Sequence, residues 1–326
     1  MRKLVAILVL LVVSWLIYRQ YKKEEDPDLA AVYRYAISNV KQISKIKIDY
    51  RLMDPDILLE KENDYWMLNN QFRVRPDAVE NLLRAVQTIE LQYIPTEAAK
   101  KNMIRDLATT GTKVEMYDYQ DQLIKSYFIG GNTPDERGTF VIMEGSQSPS
   151  VATLKGLEGS LRPYFIMPEN EWRDRTVFAE DYNALEEVMV EYIDQPFSSF
   201  SIRRQPHGFK VFPVSDRINL SGRIERSGAV ESYLQDYKKV SAEAVVNDRA
   251  LAAQLEEQRP FARITVRKKG AEEYQATFYP LLPDDFEEQK NNIERYHILD
   301  NQGNLFLVQH RLFGKLFVDL DNFFSN

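Results

Sequence analysis

Two stretches of the chain decide its fold, Tyr33–Tyr50 (YRYAISNVKQISKIKIDY) and Arg175–Tyr192 (RTVFAEDYNALEEVMVEY). They align without a gap at an offset of 142 residues, and the two final tyrosines coincide. Both end in alternating apolar and polar residues, which is typical of a strand with one buried face. An internal duplication explains this alignment, and chance similarity between two amphipathic stretches is the alternative.

The same order of predicted elements continues after both stretches. Each is followed by a hairpin, then by two helices, then by a second hairpin. In the first copy these elements are 57–61 with 65–68, 76–86, 96–107, and 113–119 with 123–129. In the second copy they are 200–204 with 208–212, 228–237, 247–257, and 262–268 with 274–279. The predicted fold class is α+β, with an N-terminal transmembrane helix followed by two duplicated modules of antiparallel sheet with helices on one face.

The chain begins with an uncharged apolar run, Leu4–Tyr18, that has Lys and Arg residues on both sides. At about 1.5 Å per residue this run spans roughly 22 Å, which is short of a hydrocarbon core of about 30 Å. Trp15 and Tyr18 suit the membrane interface, and the flanking cations can extend toward water. We predict an uncleaved anchor that enters the lipid bilayer through residues 4–18. A cleaved signal peptide and a buried core helix are the alternatives.

The distribution of charge predicts on which side of the membrane the rest of the chain lies. A short basic tail before an anchor usually stays in the cytoplasm, which places the soluble body on the periplasmic side of an inner membrane. Five of the 42 Lys and Arg residues lie in the first 23 residues, so the remainder has 37 against 49 Asp and Glu, a net charge of −12. This charge argues against nucleic acid and anionic lipid as partners of the soluble body.

These features predict six segments along the 326 residues. They are a signal-anchor (1–23), a linker (24–32), the first module (33–150), a connector (151–174), the second module (175–283), and a C-terminal hairpin with a closing helix (284–326). The hairpin is indicated by a turn sequence at 300–304, and the helix by an apolar stripe over 312–323.

Few residues in the sequence are arranged for catalysis. The absence of cysteine excludes disulfides, thiolate metal sites and cysteine nucleophiles. His207, His297 and His310 match no metal motif, and phosphate-binding loops and nucleophile elbows are absent. No spacing supports a hydrolase with paired carboxylates. We therefore predict a protein that is not an enzyme and that uses no metal or cofactor.

A glycine-rich stretch is the first candidate site. It contains Gly130-Gly131 and, after a short interval, Arg137-Gly138-Thr139. A Gly-Gly step after a strand can present backbone N–H groups to an anion, with an arginine as a second partner. The alternative is a plain connection whose glycines adopt positive φ before the next strand.

The second candidate site is Trp172-Arg173-Asp174-Arg175, directly before the second copy. Two arginines around an aspartate beside a tryptophan can bind a carboxylate or a phosphate. The alternative is a buried ion-pair latch between the domains, with an arginine stacked on the indole.

Several of these residues also carry a resemblance to a known family. They follow an N-terminal anchor and are Ile43-x-x-Ile46-x-Ile48, Trp66-x-Leu68, Pro76-x-x-Val79-x-x-Leu82-Leu83, Gly130-Gly131, Arg137-Gly138-Thr139, Trp172 to Arg175 and Ser198-Ser199-Phe200. With this pattern the chain resembles the bacterial family called domain of unknown function 4340 (DUF4340). The resemblance implies an envelope protein, some relatives of which accompany membrane transport or gliding-motility systems. It supplies no catalytic residues.

Two functions are therefore expected from the sequence. The first is a non-enzymatic, membrane-anchored extracytoplasmic protein that serves as an accessory or interaction subunit of an envelope or transport complex. The second is a ligand-binding module that holds an anionic small molecule or glycan in a cleft between the two repeats. In that case Arg137, Trp172, Arg173 and Arg175 would contact the ligand. The oligomeric state is not predicted.

Overall fold

The computed structural model describes residues 14–15, 34–281 and 293–325. The predicted linker, the predicted anchor except Ser14 and Trp15, and residues 284–292 of the predicted C-terminal segment lie outside this range. Within the described ranges, no helix has both the length and the apolar character needed to cross a membrane. The chain has a mixed α+β fold with mostly antiparallel sheets and few helices, and it divides into two compact units, Met1–Trp172 and Arg173–Asn326.

The first unit is built on a nine-stranded antiparallel sheet with the order β4-β3-β2-β1-β6-β7-β8-β9-β5. Its strands are β1 Lys45–Asp49, β2 Ile57–Glu62, β3 Tyr65–Leu68, β4 Phe72–Arg73, β5 Ile89–Tyr93, β6 Thr112–Tyr117, β7 Leu123–Asn132, β8 Thr139–Met143 and β9 Ser150–Leu154. Its helices are α1 Pro76–Thr88, α2 Glu97–Thr110, α3 Arg162–Phe165 and α4 Glu169–Trp172. A 3-10 helix, Val40–Gln42, precedes β1.

The core of the first unit follows from the alternation of its strands. Ile46 and Ile48 of β1 are fully buried. Lys45, Lys47 and Asp49 alternate with them and lie on the other face of the sheet. Helix α1 begins with Pro76, which suits a first helical turn because it needs no hydrogen-bond partner for its nitrogen. The buried face of α1 includes Leu82 and Val86, which belong to the same core as the inward strand residues.

The second unit is built on an eight-stranded antiparallel sheet with the order β13-β12-β11-β16-β17-β18-β19-β15. Its strands are β11 Leu185–Tyr192, β12 Phe200–Gln205, β13 Gly208–Pro213, β15 Ala244–Val245, β16 Ala262–Lys268, β17 Tyr274–Leu281, β18 Arg295–Asp300 and β19 Leu305–Gln309, while β10 Thr176–Phe178 pairs with β14 Val240–Ser241. Its helices are α5 Ala229–Gln235, α6 Arg249–Glu256 and α7 His310–Phe313, followed by the 3-10 helices Gly314–Leu316 and Leu320–Phe323.

The two large sheets share one strand order. Apart from β4, each strand of the first sheet has a counterpart in the second sheet whose number is ten higher. After β3 and β13, each unit has a helix, a short edge strand (β5 or β15) and a second helix before the sheet continues. The first unit has β4 before its first helix, and the second has β14 before its edge strand. The predicted order of hairpins and helices is therefore present in both units.

Each unit ends in a closing segment, defined as residues 155–172 in the first unit and 310–325 in the second. In both units a tyrosine at the end of the first long strand donates a hydrogen bond to a carbonyl of this segment. Tyr50 Oη lies 2.8 Å from Met167 O, and Tyr192 Oη lies 2.8 Å from Val318 O. These are the tyrosines that coincide in the gapless alignment.

Backbone hydrogen bonds at the first helix of each unit match in the same way. The N–H of Arg75, just before α1, donates to Trp172 O at 2.8 Å, and the N–H of Arg226, just before α5, donates to Phe323 O at 2.8 Å. Each unit thus fastens its closing segment both to a strand and to the start of a helix.

The structure differs from the predicted segments in two places. Residues 151–174 are more than a connector, because Ser150–Leu154 pairs as β9 with two strands of the first sheet and Trp172 is fully buried in the first core. The apolar stripe over 312–323 does not form one helix. It forms α7 and two 3-10 helices, and Phe313, Leu316, Leu320 and Phe323 from these short elements are buried in one core.

Candidate functional site

A groove in the first unit is a concave site among the described residues. It has a volume of about 520 Å³ and lies between α1 and the hairpin of β2 and β3. Its apolar lining is formed by Val40, Trp66, Val74, Val79 and Leu83. This volume is within the range of about 300–1,000 Å³ that is typical of ligand pockets.

The local sequence explains why the groove lies there. Strand β3 alternates, so Trp66 points inward while Tyr65 stays half-buried at the rim. On α1, Val79 and Leu83 are four residues apart and lie on one side of the helix. Leu83 is only half-buried, whereas Leu82 is fully buried in the core. The apolar surface of α1 is therefore wider than the part that the core covers.

The rim of the groove is charged. Asp64 and Glu80 are exposed at its edge, and Arg84 lies one turn after Glu80 on α1, where it also contacts Asn81. Tyr65 is held in place because its hydroxyl donates to Glu62 Oε2 at 2.8 Å. This hydrogen bond to a carboxylate raises the pKa of Tyr65 above its usual value.

The structure places Gly130 and Gly131 at the end of β7, against α2. The N–H of Gly131 donates to Asp106 Oδ2 at 3.1 Å, so a carboxylate of the chain already occupies this amide. A Cβ atom on Gly130 would lie 2.8 Å from Leu107 Cδ2. Neither glycine has a positive φ, so the expectation of a positive φ is wrong. These glycines allow close packing between strand and helix.

The rest of this loop is closed by its own side chains. Asp135 Oδ1 accepts hydrogen bonds from Thr133 Oγ1 at 2.6 Å and from the N–H of Arg137 at 3.3 Å, and these bonds hold the pKa of Asp135 below its usual value. Arg137 is exposed and forms an ion pair with Glu158 at 3.5 Å.

Gly138 and Thr139 have structural contacts after the loop. The φ of Gly138 is likewise not positive, but a Cβ there would lie 2.4 Å from Val151 Cγ1. Thr139 Oγ1 accepts a hydrogen bond from the N–H of Leu161 at 2.8 Å. Gly138 therefore allows close packing against β9, and Thr139 fixes the backbone at Leu161.

The residues of the second candidate stretch belong to both units. Trp172 is fully buried in the first core, and its indole N–H lies 3.2 Å from Met167 O. Arg173 is 8% exposed and donates to Asn247 Oδ1 at 2.9 Å and to Asn304 Oδ1 at 2.6 Å, both in the second unit. The guanidinium of Arg173 thus makes charge-assisted hydrogen bonds to two side-chain amides.

Asp174 and Arg175 also bond to nearby groups of the second unit. Asp174 Oδ1 accepts from the N–H and the hydroxyl of Thr176, at 3.1 and 2.9 Å. Arg175 Nη1 donates to Glu243 O at 2.8 Å, and Arg175 O accepts from the N–H of Ala242 at 2.6 Å. These bonds fix the first residues of the second unit, and those of Arg175 attach them to the backbone between β14 and β15.

The histidines are dispersed in the second unit. His207 is exposed in a turn, burial lowers the pKa of His297, and His310 Nδ1 lies 2.9 Å from Tyr296 Oη. Among residues 14–15, 34–281 and 293–325, no group of three or more His, Asp or Glu side chains is arranged to hold a metal ion.

The groove contains residues that the sequence analysis treated only as structural. Trp66, Pro76, Val79 and Leu83 mark the family resemblance, and all of them line the groove. The sequence signal for these groove residues is the width of the apolar stripe on α1, because this stripe is wider than the helix face that packs against the core.

The protein has an α+β fold of two units with antiparallel sheets and few helices, and the first unit has an apolar groove with a charged rim. The chain matches the family described as domain of unknown function (DUF4340) over residues 66–259, which is more than half of its length. It therefore belongs to that family, and the resemblance drawn from the sequence is confirmed. Comparisons with curated proteins and with solved structures gave no match.

Proposed function

We propose that this protein is a non-enzymatic interaction subunit of a cell-envelope complex, anchored in the inner membrane by residues 4–18 with its body on the periplasmic side. The observation that carries the proposal is the groove of the first unit. Its lining is apolar and aromatic, and its charged groups stand at the rim, which is the usual composition of a surface that binds another protein.

The anchor is proposed from the sequence. The run Leu4–Tyr18 has no charge, Lys and Arg flank it, and the remainder of the chain has a net charge of −12. A hydrophobic run with these flanks is typical of a segment that stays in the bilayer. Attachment to a membrane raises the local concentration of a weakly binding groove near membrane partners.

We also propose that the two units arose by duplication of one module. The shared strand order supports this history, and so do the matched bonds from Tyr50 and Tyr192 to the closing segments. After duplication, one copy can retain a binding surface while the other serves as a structural support.

The alternative function, a binder of an anionic small molecule or glycan, has less support. Its proposed amide donor at Gly131 is bound by Asp106, and Asp135 accepts from the N–H of Arg137. An incoming anion would have to displace these carboxylates.

An affinity purification tests the proposed function. The tagged full-length protein is cross-linked in native membranes, purified, and analysed by mass spectrometry. We expect a stoichiometric envelope protein to be recovered. Recovery of the protein alone would contradict the role of interaction subunit. A reporter active only outside the cytoplasm, fused after Asn326, tests the orientation, and a silent reporter would contradict it.

A further inference from the structure

The second unit shows what fills the position that the groove occupies in the first unit. The strand registers align the two sites, because Lys61 pairs with Trp66 across β2 and β3, and Arg204 pairs with Phe209 across β12 and β13. Trp66 and Phe209 are therefore counterparts, and so are Lys61 and Arg204. Both aromatic rings are nearly buried, at 9% and 8% exposure.

In the second unit this position is filled by the chain itself. The ring of Tyr182 packs edge-to-face on Phe209, with 5.0 Å between the ring centroids. The guanidinium of Arg204 lies 4.4 Å from the centroid of Phe209. Arg204 is fixed there by hydrogen bonds of 2.6 Å to the carbonyls of Leu185 and Tyr182. An aromatic ring and a cation thus cover the counterpart of Trp66 together.

In the first unit the counterparts of Tyr182 and Arg204 do not cover Trp66 in this way. Val40 stands at the place of Tyr182 in the gapless alignment, and it is too small to cover an aromatic ring. The ammonium group of Lys61 lies over the ring of Tyr119, 5.8 Å from its centroid. A groove of about 520 Å³ lies there, lined by Val40 and by the 9% of Trp66 that remains exposed.

The charges at the rim favour a cation from outside. Asp64 and Glu80 stand at the edge of the groove. Two nearby arginines have contacts within the unit: Arg84 contacts Asn81 on its own helix, and the guanidinium of Arg73 lies 4.3 Å from the centroid of Tyr65. Two carboxylates near an aromatic floor are complementary to a guanidinium or ammonium group that brings apolar surface with it.

We infer that the groove of the first unit binds a peptide segment of a partner protein through an aromatic side chain and a neighbouring Arg or Lys. The aromatic ring takes the place that Tyr182 has in the second unit, and the cation takes the place of Arg204. This inference rests on the proposed function, because it names the chemistry of the partner at the same site.

Peptide selection tests the inference. A displayed library of random 12-residue peptides is selected against the full-length protein in detergent, and the selected peptides are labelled for fluorescence polarisation. We expect selected peptides to carry an aromatic residue within about three positions of Arg or Lys. Selection of peptides without this pair, or of no peptide at all, would overturn the inference.

Two variants with a matched control locate the binding. Val40→Tyr supplies the ring that the second unit already has, and we expect it to weaken peptide binding at least tenfold. Glu80→Lys changes an exposed rim residue and should weaken basic peptides at least fivefold without affecting folding. Glu231→Lys, at the same position of α5 in the second unit, should leave the affinity unchanged. Equal affinities for Glu80→Lys and Glu231→Lys would contradict the site.

Failure of this inference can be distinguished from failure of the proposed function. If cross-linked membranes yield the same envelope protein with wild type and Val40→Tyr, the interaction role stands and the groove is not its site. If selected peptides bind the groove but membranes yield no partner, the groove chemistry stands and the role of envelope subunit fails.

Discussion

Removing the hydroxyl of the half-buried Tyr50 should lower the stability of the first unit, whereas removing that of the fully buried Tyr127 should not. Tyr50 Oη lies 2.8 Å from Met167 O, 3.2 Å from Met167 N and 3.4 Å from Trp172 Nε1, so it links β1 to the closing segment. Burial also raises the pKa of Tyr50. By contrast, no group among the described residues bonds to the fully buried hydroxyl of Tyr127.

The magnitudes follow from hydrogen-bond energetics. A net contribution of about 1 kcal/mol for each of the two shorter bonds gives a loss of roughly 2 kcal/mol for Tyr50→Phe. The carbonyl of Met167 keeps the indole N–H of Trp172 as a partner, so the cost should not rise far above this value. Tyr127→Phe removes a buried polar group that no described residue bonds, and it should leave stability unchanged or raise it by up to about 1 kcal/mol.

Tryptophan emission measures these effects in the first unit alone. The three tryptophans are Trp15, Trp66 and Trp172, so residues 173–326 contain none. With a urea dependence of about 2 kcal/mol per molar, Tyr50→Phe should lower the unfolding midpoint by about 1 M. Tyr119→Phe changes an exposed residue and should leave the midpoint unchanged. Equal midpoints for Tyr50→Phe and Tyr119→Phe would refute the argument.

Four further outcomes are expected. Tyr192→Phe should destabilise the second unit by about 1 kcal/mol, measured as faster hydrogen exchange in its closing segment, because it removes one hydrogen bond. Gly138→Ala should cost about 1–3 kcal/mol in urea unfolding followed by tryptophan emission, because its Cβ would lie 2.4 Å from Val151 Cγ1. Arg173→Ala should lower the melting temperature of the second unit in calorimetry, since it removes two charge-assisted bonds. Raising the pH above 10 should destabilise the fold, because burial raises the pKa of Tyr296 to about 12 and folding therefore favours the neutral side chain. The contribution of Tyr296 to the free energy of unfolding is fully present below pH 10 and is lost toward pH 12, and absorbance at 295 nm would follow the ionisation of the tyrosines.

The sequence predicts those elements whose side chains alternate strongly. The alternation around Ile46 and Ile48 identifies β1 because each of these residues is fully buried and each neighbour is polar. Strand β15, with only Ala244 and Val245, carries no such pattern, because an edge strand of two residues is defined by its pairing with β19. The closing segment of the first unit was missed for a similar reason, since its attachment depends on main-chain carbonyls that any residue supplies.

The candidate site shows the same limit. Glycines at 130 and 131 are visible in the sequence, but the reason for them is the approach of Leu107 from α2, which no local pattern specifies. Likewise, the apolar spacing of Val79 and Leu83 predicts a buried face of α1. Val40, which lies before the sheet in the chain, also lines the groove, and no spacing on α1 specifies this neighbour.

The position of the closing segments has a consequence for biosynthesis. In each unit the residues that complete the core are the last to be synthesised, yet they bond to the strand and the helix that are made first. The first unit can therefore finish folding once Trp172 has been synthesised, while the second unit must wait for residues 310–325. Until its closing segment is made, the core of each unit is incomplete, and we expect chaperones to engage each nascent unit during that interval.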